Sequence, residues 1–527
     1  MSKTTIVVGA GSAGGALAAR LSEDPDHRVV LVEAGPDYAQ RQEVPPAICD
    51  AYEMSVDGHD WGLTGFFLEP ETVRAPQPYP RGRLVGGCSA VNAAIAQRGT
   101  VADFEQWVAA GNDEWSYEHV LPFYKRVETD LDYGESAFHG GSGPVPIRRF
   151  PRSEWSTAAR LFEQACLERG YPSCEDQNAP SATGVGPLPR NQIGDERASS
   201  LLTYLLEARV RPNLEIRSDT TCRRVLFDGT RAIGVEVEHG GELERITGDR
   251  VVLSAGAIHT PHLLTLSGVG RSDVLAELGI EPVAVSEGVG RNFQDHPFVG
   301  VMGLLKEPSE YGSVRAELKF SSELEGGSLD DQVLWASILD PATLNMPVDT
   351  RGLQALTIVA QLARPASTGW LRVVSPDVHV QPELHVNFLS DEGDADLRRM
   401  MQAVRLAHEL ATETAIADEL DELLFPDKAT VDDDAALEAW LRNTVTTCYH
   451  ASATCRMGPD GDPGAVVTQR LAVRGTEALY IADASVMPCV PTGLTNLTSY
   501  MIGERAAAFL RGETVEPEPI AAATPAA

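Results

Sequence analysis

Gly9, Gly11 and Gly14 occupy the fixed places of a Gly-x-Gly-x-x-Gly run, and an acid, Glu33, follows about 20 residues on. Residues of these types at this spacing can hold the ADP half of a dinucleotide. Gly9 permits a tight turn out of a strand. Gly11 lets the backbone approach a pyrophosphate, and Gly14 lets the following helix pack on the sheet. That helix begins at Ser12 and Ala13, so its free N–H groups and partial positive charge face the phosphates. Glu33, with Ala34 beside it, is placed to accept hydrogen bonds from a ribose diol and to repel a 2′-phosphate.

The elements that must position these residues are apolar strands. Ile6-Val7-Val8 enters the glycine turn, and Val29-Val30-Leu31-Val32 ends at Glu33. Further strands of the same character are predicted at 214–216, 234–237, 250–254 and 478–482. Pieces so far apart point to one sheet assembled from distant segments. The stretches near 150–190 and 298–446 have another texture, with short alternating runs such as 369–373 and a helical stretch at 396–412. The expected fold is therefore α/β (α+β overall): a Rossmann-like domain from residues 1–149, 191–297 and 447–515, interleaved with a domain on an antiparallel sheet from 150–190 and 298–446. The Pro/Ala/Glu-rich tail at 516–527 is expected to be disordered.

The chain has 527 residues, too many for a single core. Its net charge of −33 disfavours nucleic acid and anionic membranes as partners and favours solubility. The sequence opens directly on a strand and no window approaches a membrane span, so a cytoplasmic location is expected, as a monomer or small homo-oligomer. The eight cysteines form no CxxC pair and read as reduced thiols, and the acidic runs at 391–394 and 432–434 read as solvated helix starts; no metal is expected.

Other segments are more specific. Gly82-Arg83-Leu84-Val85-Gly86-Gly87-Cys88-Ser89-Ala90-Val91-Asn92 is a loop of small residues. A second run, 256–270, reads GAIHTPHLLTLSGVG. Gly288-Val289-Gly290-Arg291-Asn292-Phe293-Gln294-Asp295-His296-Pro297 follows, and then Tyr449-His450-Ala451-Ser452, Asp483-Ala484-Ser485 and Thr495-Asn496-Leu497-Thr498. In this order they resemble the glucose–methanol–choline (GMC) family of flavin-dependent alcohol oxidoreductases, over nearly the whole chain. The 256–270 run fits one family signature at every defined position. The earlier loop fits the other except at Cys88, where Gly, Ser or Thr is usual, though choline oxidases also carry Cys there.

The resemblance implies FAD. The loop at 83–95 then wraps pyrophosphate and flavin, through Arg83, Val85, Gly87, Asn92, Ala93, Ala94 and Ile95, as a nest of backbone N–H groups. Asp483, with Ala484, matches the acid that binds the ribityl chain. Tyr449, Leu497 and Thr498 join the cofactor set, and by analogy Trp61 lies near the flavin and Cys222 near the adenine. Relatives that attach FAD covalently use a histidine just before the loop Asn; here that residue is Val91, so non-covalent FAD is expected.

His450 matches the family's catalytic base. An imidazole can accept the hydroxyl proton of an alcohol near neutral pH while the α-hydrogen leaves as hydride. Asn496 matches the second catalytic position, where its amide holds the alcohol oxygen. His139, His259, His262 and His296 read as structural.

Choline-specific members carry a carboxylate after the Asp-His-Pro turn; here Phe298 stands there. Other stretches look most like hydroxymethylfurfural and aryl-alcohol oxidases. This implies a primary alcohol on an aromatic, furanic or allylic carbon, held by Phe298, Gln361, Leu362 and Cys448 and oxidised to the aldehyde. Oxygen would then reoxidise the flavin to give hydrogen peroxide. A dehydrogenase using a quinone or other acceptor, or a hydroxynitrile lyase-like non-redox flavoprotein, would share most of these motifs.

Overall fold

The computed structural model describes residues 3–69, 75–308, 314–322, 331–339 and 351–520. The elements that carry the site are, in chain order, β1 (Lys3–Val8), α1 (Ser12–Leu21), β2 (His27–Val32), β3 (Leu214–Arg217), β4 (Arg250–Leu253), α2 (Gly256–Leu266), β5 (Leu479–Ile481) and α3 (Thr495–Arg511). The five strands form one all-parallel sheet in the order β3-β2-β1-β4-β5. β1 is central: Ile6 sits level with Val30 on one side and Val251 on the other. Such strands are covered on both faces, which is why they read as unbroken apolar runs and not as alternation; Ile6, Val7, Val29 and Leu31 are completely buried. The sequence-distant pieces at 214–216, 250–254 and 478–482 thus join one sheet.

The strand predicted at 234–237 does not. It lies in Arg231–His239, the middle of a separate antiparallel meander with Thr220–Asp228 and Glu242–Thr247. The cause is the tight turns at Gly229 and Gly240-Gly241, whose left-handed φ values reverse the chain at once and leave no room for a crossover helix.

A seven-stranded antiparallel sheet joins Gly184–Pro187, Pro297–Leu305, Ala316–Phe320, Gln332–Leu339, Ala355–Leu362, Leu420–Phe425 and Thr446–Thr447. The helix Ala395–Thr412 covers it, burying Met400, Val404 and Leu410 in a second core with Leu318, Ile358 and Leu362. The alternating run at 369–373 is outside this sheet; Trp370–Arg372 pairs with Glu383–His385 in a two-stranded ribbon.

The tail is also more ordered than its composition suggests. Residues 516–520 are held on the surface: the Glu518 backbone N–H donates to the Glu118 carbonyl at 2.9 Å, and its carboxylate meets the Lys125 ammonium at 2.6 Å. Val515 and Ile520 pack on the main core. A basic side chain and an apolar ledge offset the ordering cost that composition alone leaves unmet. Residues 521–527 lie outside the described residues. No described helix is long and apolar enough to cross a membrane.

Candidate active site

β1 ends in Gly9 at φ +102°, where a Cβ would sit 2.4 Å from the Ser254 carbonyl oxygen, so only glycine turns here. α1 then starts at Ser12 without any side-chain cap on Gly11, leaving its first N–H groups free. The second glycine loop closes over it: a Cβ on Gly87 would lie 2.8 Å from the Gly11 Cα. Two stretches of bare backbone thus meet at the mouth of a helix dipole.

They open into one elongated cavity of about 500 Å³. Its lining includes Glu33, Ala34, Cys222 and His262, then Gly9, Gly11, Ser12, Ala13, Gly87, Asn92, Ala93, Ile95, Trp61, Asp483 and Ala484, and also Cys448, Tyr449, His450 and Asn496. The Glu33 carboxylate accepts from the Ala10 N–H at 2.9 Å and the Gly35 N–H at 3.0 Å. Burial still pushes its pKa up, to about 6, against those two N–H groups. Asp483 accepts from the Gly256 N–H at 2.9 Å and the Thr260 hydroxyl at 2.6 Å, which ties β5 to the start of α2.

Asp295 organises the backbone around His450. One of its oxygens accepts from the N–H groups of both His296 and His450, each at 2.7 Å. The other accepts from the Tyr79 hydroxyl at 2.5 Å and from the Thr447 hydroxyl. Tyr449 is forced into the left-handed region, φ +63°, and its N–H is held by Thr447 at 2.7 Å. Strain of this kind, on the order of 1–3 kcal/mol, persists only where neighbours over-determine it; here it aims the His450 ring. That ring's Nδ1 lies 2.9 Å from the Nδ1 of His296. Burial, then His296 and Arg81, hold the His450 pKa well below the ordinary imidazole value, so the ring is neutral and keeps a lone pair for a proton at working pH. The Ser12 hydroxyl donates to the Asn496 Oδ1 at 2.8 Å, and the Asn496 Nδ2 is buried without a partner among the described residues.

Several expected residues stand behind the cavity wall. Arg83 donates to the Ala34 carbonyl at 3.1 Å and lies over Trp61, 5.3 Å from its centroid. Val85, Ala94 and Leu497 are core residues; Gly14 packs against the Gly9 carbonyl; Thr498 bonds Tyr124 at 2.8 Å. Phe298, Gln361 and Leu362 do not reach the cavity either. Phe298 and Gln361 are cross-strand partners in the antiparallel sheet, and Gln361 is tied to the cavity lining through Cys448, whose thiol donates to its Oε1 at 3.2 Å.

The histidines need correction. His296 is not merely a turn residue, since it touches His450 across 154 residues of chain. His259 and His262 line the cavity: His259 stacks on Trp61 with centroids 4.1 Å apart, and both ring nitrogens of buried His262 lack partners among the described residues. Their spacing on α2, three residues apart, was the available signal: it puts both on one face. His139 is structural as read. It is buried among Glu128, Asp130 and Asp176, with Arg98 and Arg149 on the same carboxylates, in one ion-pair network.

The residues fit FAD on three counts: a backbone cradle that a Cβ would fill, a buried acid for the ribose, and orphaned polar atoms at Asn496 and His262 along the same cavity. Comparison with known proteins agrees. The GMC oxidoreductase pattern matches residues 4–298 in its N-terminal part and 365–503 in its C-terminal part. The chain is 36% identical over 526 residues to a 5-(hydroxymethyl)furfural oxidase of Methylovorus sp. (strain MP688), covering 95% of this chain and 97% of that one. It is 33% identical over 539 residues to an oxygen-dependent choline dehydrogenase of Photobacterium profundum, covering 97% and 93%. Among solved structures, pyridoxine 4-oxidase from Mesorbium loti superposes with a TM-score of 0.88 at 28% identity, over 97% of this chain and 100% of that one. The chain belongs to the GMC oxidoreductase family and is an FAD-binding enzyme.

Proposed function

We propose that this GMC oxidoreductase oxidises a primary alcohol on an aromatic, furanic or allylic carbon to the aldehyde, with oxygen as electron acceptor and hydrogen peroxide as co-product. The observation that carries the reading is the convergence of His450 and Asn496, from segments far apart, on the cavity that holds the dinucleotide cradle. Bound FAD supplies the hydride acceptor. His450, neutral and with Nε2 free of hydrogen bonds among the described residues, takes the hydroxyl proton. Asn496 is oriented by Ser12: its Oδ1 is occupied, so its NH₂ is presented as donor to the alcohol oxygen. Tyr449, beside the edge of Tyr79, gives the cavity an aromatic wall suited to a flat π-substrate.

Charge argues against a quaternary ammonium substrate. Arg81 lines the cavity, its guanidinium bonded to the Tyr79 hydroxyl at 3.2 Å, with no carboxylate in direct ion-pair contact among the described residues. The similarity to a hydroxymethylfurfural oxidase supports the same substrate class. Val91 lines the cavity where covalent relatives carry histidine, which supports dissociable FAD. Residues 150–190 and 298–446 form the substrate side of the molecule in this reading.

The test is a panel of benzylic, furanic, allylic and aliphatic alcohols and choline, mixed with the holoenzyme without oxygen. Bleaching of the flavin band by the conjugated alcohols, then peroxide on readmission of air, is expected. Bleaching without peroxide would move the acceptor to a quinone or carrier, and cyanide release with an unchanged band would replace oxidation by a lyase.

A further inference from the structure

We infer that His296 fixes the tautomer of His450, accepting a hydrogen bond from its Nδ1–H and so leaving its Nε2 as the base. This rests on the reading of His450 as the proton acceptor.

The two rings meet nitrogen to nitrogen, Nδ1 to Nδ1 at 2.9 Å, with planes 79° apart. That contact has room for one proton. Two N–H groups would repel, and so would two lone pairs. Which ring carries the proton is decided at the other side of His296. Its ring is completely buried, and the backbone at Ala363 and Pro491 acts on that ring in the direction that favours an N–H, as accepting carbonyls do; with Nδ1 turned to His450, Nε2 is the nitrogen left for that proton, although it completes no hydrogen bond among the described residues. Carbonyls only accept. The proton of neutral His296 therefore belongs on Nε2, and Nδ1 is left as acceptor. His450 must then be the Nδ1–H tautomer with its lone pair on Nε2.

Asp295 makes the arrangement rigid. One carboxylate oxygen holds the backbone N–H groups of both histidines, which fixes relative to each other the two main-chain segments from which the rings meet. The surrounding groups are few and fixed. Around His450 stand Arg81, Cys448 and Tyr449; beyond His296 stands Asp103, itself paired with Arg364 at 3.2 Å.

The proton count closes within the pair. The O–H bond of the alcohol breaks and its proton forms the Nε2–H bond of His450, while the α-hydrogen leaves with both electrons for the cofactor. His450 becomes imidazolium and keeps its Nδ1–H, now a stronger donor to the His296 Nδ1. No proton passes to His296. Its part is that of the orienting acid in a hydrolase triad, taken here by a neutral ring.

The experiment compares His296→Leu, which removes the acceptor, with His296→Asn, whose carboxamide oxygen can replace Nδ1. The readouts are FAD content, KM, kcat and its pH profile, and the anaerobic rate of flavin reduction by a benzylic alcohol. In His296→Leu, kcat and the reduction rate are expected to fall on the order of 10²-fold at unchanged FAD content and KM. Its pH profile should be displaced, because either ring nitrogen can then hold the proton, and His296→Asn should recover to within about tenfold. Equal losses in both variants with the wild-type pH profile would mean a packing role and overturn the inference. If His450→Ala reduces flavin at the wild-type rate, the base assignment fails and this inference with it. If His450→Ala is inactive but His296→Leu is unimpaired, only this inference falls. Should the variants not fold, ¹⁵N-histidine spectra of the wild-type holoenzyme decide: protonated Nδ1 and bare Nε2 on His450 are expected, and the reverse refutes.

Discussion

His139 gives a stability prediction with a defined sign. Its Nδ1 lies 2.9 Å from Glu128 and 3.0 Å from Asp130, and its Nε2 lies 2.9 Å from Asp176. Burial alone would lower its pKa; hydrogen bonds to Asp130, Asp176 and Glu128 outweigh that and raise it from 6.5 to about 10. At about 1.4 kcal/mol per pH unit, the protonated ring stabilises the fold by about 5 kcal/mol at most. This is an upper bound, because Arg98 and Arg149 share the same carboxylates and can close on them. The folded protein holds a proton that the unfolded chain has released, so the contribution is complete below pH 6.5. It declines as pH rises and is gone above about 10. His139→Gln should therefore cost most at pH 6, and its deficit should shrink steadily toward pH 10. Urea midpoints of both proteins, followed by tryptophan fluorescence between pH 6 and 10, test this, since other alkaline titrations cancel in the difference. A deficit independent of pH across that range would refute the claim that the buried ring is charged.

Three further outcomes concern the cavity. His450→Ala should slow alcohol-driven flavin reduction by about 10²–10⁴-fold while FAD absorbance is retained; stopped-flow mixing without oxygen measures it. Gly87→Ala forces a Cβ to 2.8 Å from the Gly11 backbone at a left-handed φ of +50°, so the purified protein should be largely colourless and bind added FAD at least tenfold more weakly, read by flavin fluorescence quenching. Ser12→Ala frees the Asn496 amide to rotate; losing one buried hydrogen bond, worth about 1 kcal/mol, predicts a kcat roughly fivefold lower with normal FAD content.

Local chemistry was the legible part of this sequence. The turn at Gly9, the acid at Glu33 and the apolar strands around them declare themselves within about 30 residues, because backbone geometry and burial on both sheet faces act over that range. His450 and Asn496 were readable only through their motifs, and the cavity lining agrees with them. What stayed hidden depends on contacts between remote segments. Nothing near His296 announces a ring brought from 154 residues away. Nothing near His262 shows that its nitrogens are orphaned, and the docking of Glu518 needs Lys125 to be seen beside it. Phe298, Gln361 and Leu362 rest on analogy with pockets of relatives, and none of them lines the cavity; Gln361 meets it only through its contact with Cys448.

The strand order has a further consequence for how the protein comes into being. β1, made before the other four strands of its sheet, is flanked by β4, the edge is completed by β5, and α3 then delivers Asn496 beside Ser12. At about 5–20 residues per second, tens of seconds separate the emergence of β4 from that of β5 on the ribosome. A nascent chain therefore displays an intact nucleotide turn long before it owns an oxidising centre. Premature termination anywhere upstream of Leu479 leaves a half-built sheet with an open parallel edge, a substrate for chaperones and proteases and not a slow enzyme.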